Sequence, residues 1–69
     1  MTRFVIVDKD GRFFSAFGLS PQWSTRSAIL FESEDIARKE GIGAVLMNVS
    51  AKSRKRRESE VIIRPIKIG

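Results

Sequence analysis

Phe4-Val5-Ile6-Val7 is an unbroken apolar run rich in β-branched side chains, and Asp8-Lys9-Asp10-Gly11 follows it directly. Alternate side chains of a strand point to opposite faces, so a strand apolar on both faces belongs inside a sheet rather than at its edge. Asp-Lys-Asp-Gly reads as a tight turn, with Gly11 free to supply a positive φ. The stretch from Arg12 to Phe17 is again apolar-rich, which predicts a β-hairpin over residues 3–17.

Gly18 to Arg26 carries Gly, Pro, Ser and Thr and reads as a loop with Trp23 in its middle. Ser27 to Phe31 reads as a third short strand. Ser33 is a good N-cap, and Glu34 and Asp35 oppose the positive end of a helix dipole. Ile36, Ala37, Gly41, Ala44, Val45 and Asn48 then define one helical face. Ala, Leu and Met between 44 and 47 favour one continuous helix to about residue 51; a stop at Gly41 is the alternative. Val61-Ile62-Ile63-Arg64 with Ile66 and Ile68 predicts a last strand. Pro65 lacks the ladder donor and argues for an edge or strand-end position.

The expected architecture is α+β: one domain over residues 1–69, ordered β-β-β-α-β. About four antiparallel strands form its sheet, with one helix packed on a face. Phe4 to Phe13, then Trp23, then Ala28-Ile29-Leu30-Phe31-Glu32-Ser33 and Ala37 follow a layout that resembles small uncharacterised proteins of bacteriophages and prophages. The resemblance implies a source and a fold; function in such proteins is generally unassigned.

At 69 residues without Cys or His, the chain has neither disulfides nor the common zinc ligands to reinforce it. A domain this small buries only about 60% of its unfolded surface, so dimerisation is a reasonable source of extra stability. Phe4 to Val7 is too short for a signal peptide's apolar core, and no stretch approaches the roughly 20 apolar residues of a membrane span. A soluble, cytoplasmic protein is expected.

Charge is distributed unevenly. Residues 1–51 carry six Lys/Arg and six Asp/Glu, whereas the last 18 residues carry seven basic and two acidic side chains. The formal charge of +5 therefore resides in the C-terminal quarter, five of the basic residues being Lys52, Arg54, Lys55, Arg56 and Arg57. Basic residues at this density neutralise phosphates and release counterions. The bland reading is a solvated helix end, which one or two cations would satisfy. Arg64 and Lys67 are candidate flanking contacts. Phe14 and Trp23, within the aromatic group Phe13, Phe14, Phe17 and Trp23, are candidates for an exposed interaction surface.

Catalytic and metal motifs fail on spacing. Counting a calcium loop from Asp8 puts Arg12, Phe13 and Leu19 where an oxygen ligand, Gly and Glu are needed. Gly41-Ile42-Gly43 follows no strand and lacks the third glycine of a dinucleotide site. Ser20, Ser24 and Ser27 have no His to activate them. The expectation is a non-enzymatic protein without cofactor or metal that contacts nucleic-acid phosphates. The alternative is a phage accessory protein that binds a host or phage protein.

Overall fold

A computed structural model describes all 69 residues. Four strands, β1 (Thr2–Asp8), β2 (Phe13–Ala16), β3 (Gln22–Ser24) and β4 (Val61–Lys67), form one antiparallel sheet in the order β3-β2-β1-β4. Between β3 and β4 run two helices. The first, α1, spans residues 34–46 as Glu34–Ile36 and Gly43–Leu46 around a π-helical stretch, Ala37–Ile42. The second, α2, is Ala51–Ser59. The fold class is α+β as expected, with β1 central.

The β1–β2 turn forms through Asp8. Its backbone N–H bonds to the Arg12 carbonyl at 2.9 Å, and Gly11 N–H bonds back to the Asp8 carbonyl at 3.1 Å. Gly11 closes the turn at φ 79°, where a side chain would be strained. β4 pairs with β1 along its whole length, Thr2 opposite Lys67 through Asp8 opposite Val61. Phe4 gives both backbone groups to Phe31, at 2.8 and 2.9 Å. Antiparallel alternation therefore makes the Phe4–Pro65 pair a non-hydrogen-bonded one, with the Pro65 nitrogen on the open edge of the sheet. Proline costs no ladder bond there.

The third strand is not at 27–31. That segment makes one bridge, Phe31 to Phe4, while Ile29 N–H bonds to the Phe14 carbonyl. It fills the gap where β2 diverges from β1. The strand beside β2 lies in the Trp23 segment instead, pairing Phe13 with Ser24 and Phe14 with Trp23. Stacking Trp23 edge-on against Phe14, at 5.8 Å between ring centroids, rewards that pairing despite the Gly, Pro and Ser around it.

Ser33 caps α1 as expected, its Oγ accepting from Ile36 N–H at 3.1 Å. The helix neither stops at Gly41 nor continues to residue 51; it ends at Leu46. Within it the buried residues are Ala37, Gly41, Ile42 and Val45, whereas Ile36 and Asn48 are exposed. The wider π turn, marked by Gly43 N–H bonding to the Arg38 carbonyl, holds back the helical rotation. Ile42 is thereby brought onto the face that Ala37 and Gly41 occupy. Gly41 is where α1 meets the sheet, against Ile6 and Phe31. The core is Ile6, Phe14, Phe31, Ala37, Ile42, Val45 and Val61.

Candidate nucleic-acid interface

The basic segment is a helix in its own right, not the end of another. Ser50 precedes α2 in an extended conformation without a side-chain cap, and Ser53 N–H bonds to the Ser50 carbonyl at 3.0 Å. Helix α2 buries no residue. It is polar on every side, and at nine residues it is too short to persist on intrinsic propensity alone. Its anchorage is at the C-terminal end. The Arg57 guanidinium lies 5.7 Å from the Trp23 ring centroid, Arg57 Nη1 pairs with Glu60 at 3.3 Å, and Lys9 pairs with the same carboxylate at 3.2 Å. Ser59 Oγ also donates to the Arg56 carbonyl at 2.7 Å. The hydrogen bonds from Lys9 and then Arg57 hold the Glu60 carboxyl below its ordinary pKa, against a small opposing effect of burial.

This anchorage sorts the seven basic candidates. Arg57 is half-buried and engaged with Trp23 and Glu60. Lys52, Lys55 and Arg56 stand at i, i+3 and i+4, so they share a stripe of the helix. Arg57 faces the body, which turns that stripe toward solvent; Arg54 lies on the flank. All four are exposed and none forms an ion pair. Arg64 and Lys67 are exposed as well, but they point to opposite faces of β4. Lys67 is about 20 Å along the strand from the end nearest α2. The structure thus brings together Lys52, Lys55 and Arg56, sets Arg54 off on the flank nearer Arg57, and leaves Arg64 and Lys67 apart.

The direction of α2 also bears on the bland reading. Arg56 and Arg57 in the last turn complement the helix dipole, which a structural role explains. Lys52 and Arg54 lie in the first turn, where no acidic residue is present and positive charge opposes the dipole. Helix stabilisation does not account for them.

The aromatic candidates divide too. Phe14 is wholly buried, packed against Phe17, Trp23 and Phe31 at centroid distances of 5.1, 5.8 and 6.4 Å, so it is a core residue and not a binding surface. Trp23 is half-buried, with Arg57 over its ring. Phe17, of the same aromatic group, is exposed, and sequence reasoning missed two further exposed apolar residues, Leu19 and Met47. Asn48 Nδ2 donates to the Leu19 carbonyl at 2.9 Å, tying the β2–β3 loop to the link between α1 and α2. Only the small and polar neighbours of Leu19 hinted at a protruding loop.

A cleft of about 230 Å³ opens between α1 and the free edge of β4, with Glu34, Arg38 and Glu58 over Ile42, Val61, Ile62 and Ile63. It is amphipathic rather than cationic and separate from the exposed stripe of α2. No group of His, Cys, Asp and Glu residues is placed to hold a metal ion, and no helix is long and apolar enough to cross a membrane. No family model, curated protein or solved structure matches this chain.

Proposed function

We propose that this protein, of the phage-type layout described above, binds nucleic acid without catalysis, α2 contacting backbone phosphates through Lys52, Arg54, Lys55 and Arg56. The observation that carries the reading is the pair of unpaired cations, Lys52 and Arg54, at the end of α2 where the dipole disfavours them. Such cations bind most favourably when an external anion neutralises them. Phosphate contacts position a protein without reading bases, so little sequence preference is expected. Arg57 serves as the pin that orients the stripe.

Replacing Lys52, Arg54, Lys55 and Arg56 together with Ser tests this. Binding to DNA or RNA should be lost while backbone chemical shifts outside α2 stay native. Wild-type affinity should fall with salt along a log–log slope of about −3 to −4, as four duplex-phosphate contacts require. Absence of binding at low salt to duplex DNA, single-stranded DNA and RNA would overturn the reading. The exposed Phe17, Leu19 and Met47 favour a protein partner as the second reading. A pulldown with and without nuclease separates the two.

A further inference from the structure

Both helices lie on one side of the sheet. Gly41 of α1 meets Ile6 and Phe31, while Arg57 of α2 meets Trp23, which pairs with Phe14 on that same side. The opposite side is nevertheless apolar. Val5 and Val7 are 0% and 5% exposed, yet neither belongs to the helix-side core. The register places Ile62 beside Val7 and Arg64 beside Val5. Leu30 precedes Phe31, which faces the helices, so it flanks Val5 from the other side. Ile62 is 52% exposed, Leu30 47% and Met1 76%, and Met1 is hydrogen-bonded to Ile68 at the strand ends. Four of the eight large apolar side chains the chain leaves exposed, Met1, Leu30, Ile62 and Ile68, thus lie around the buried Val5 and Val7 on the face away from the helices.

We propose that a second copy of this chain covers that face in a symmetric homodimer, the two sheets packed face to face. The charges on the face identify the occupant. Arg3, Arg64 and Glu32 are exposed or half-buried there, Glu32 lying across from Arg3, and none forms an ion pair within the chain. A two-fold axis brings the same patch against itself, so the Glu32 of each copy can meet an Arg of the other. A patch carrying both signs is complementary to itself, whereas a uniformly acidic or basic partner would leave one sign unpaired. The chain's size points the same way, because a domain of this length gains most from burying a second apolar layer. The two α2 helices then lie on opposite outer faces, leaving the basic stripes free.

Sedimentation of nuclease-treated protein from about 10 µM to about 1 mM should show a concentration-dependent monomer–dimer equilibrium. Ile62→Lys and Leu30→Lys should each shift it to monomer at least tenfold in dissociation constant, with native circular dichroism because both sites are half exposed. Leu19→Lys, on the distant loop, should leave it unchanged. Glu32→Arg should weaken the dimer, and combining it with Arg3→Glu and Arg64→Glu should restore it. A wild-type protein that remains monomeric throughout, or a dimer indifferent to both Lys substitutions, overturns the proposal. Neither result depends on nucleic-acid binding.

Discussion

Two glycines two residues apart in α1 should respond to the same substitution with opposite sign. A Cβ on Gly41 would overlap Ile6 Cδ1 and press the Phe31 ring at 3.1 Å, and both neighbours are buried. Overpacking of that kind costs about 1–3 kcal/mol and outweighs the roughly 1 kcal/mol that Ala gains over Gly in a helix. A Cβ on Gly43 meets nothing within 4 Å, and its φ of −56° is helical. Urea denaturation should therefore show Gly41→Ala less stable by up to about 2 kcal/mol and Gly43→Ala more stable by about 0.5–1 kcal/mol. At the hairpin, burial pushes the Asp8 carboxyl up. The N–H groups of Arg12 and Asp10, each at 2.9 Å, and the Arg12 guanidinium outweigh it and hold the pKa below its ordinary value. A carboxyl that titrates lower when folded contributes stability above about pH 4, and that contribution is lost as pH falls through the folded pKa. Asp8→Asn should cost about 1–3 kcal/mol at neutral pH and show a shallower loss of stability than wild type as pH falls below about 4.

At the scale of elements, α2 depends on its C-terminal anchorage. A cation over an indole contributes about 0.5–1 kcal/mol at a partly exposed site, enough to decide whether a nine-residue polar helix holds its place. Arg57→Ala should raise amide hydrogen exchange throughout α2 and alter Trp23 fluorescence, with global stability lowered by less than about 1.5 kcal/mol. Substituting Lys55 by Ala should do neither. Equal protection of α2 in both variants would show that the anchor lies elsewhere. The sequence displayed the cations of this helix but not the helix itself. Residues 51–59 have no apolar periodicity, and the signals that define it, a ring on β3 and a carboxylate at residue 60, come from residues that meet it only in the fold.

For the whole molecule, stability converges on Phe14, whose ring meets three other aromatics. Removing a buried Phe costs about 3–5 kcal/mol. A chain of this length has about 3–10 kcal/mol in total. Phe14→Ala should therefore be largely unfolded at 37 °C, while Phe17→Ala, at an exposed ring, should lower the melting temperature only slightly. Comparable losses from the two would mean that Phe14 is not the centre of the core.

Local chemistry alone determined the hairpin turn at Asp8 to Gly11, the Ser33 cap and the edge position of Pro65. Each depends on neighbouring residues: a glycine for positive φ, a hydroxyl for an orphan N–H, a missing donor. The concentration of charge in the last quarter was equally legible, because charge is read without a fold. Only tertiary structure decided the rest. Trp23 forms a strand because Phe14 waits beside it, and Ile42 is buried because close packing at Gly41 admits a wider helical turn. Arg57 leaves the cationic stripe because Glu60 and Trp23 claim it. These outcomes depend on side chains far apart along the chain, and no local propensity records which of them will meet.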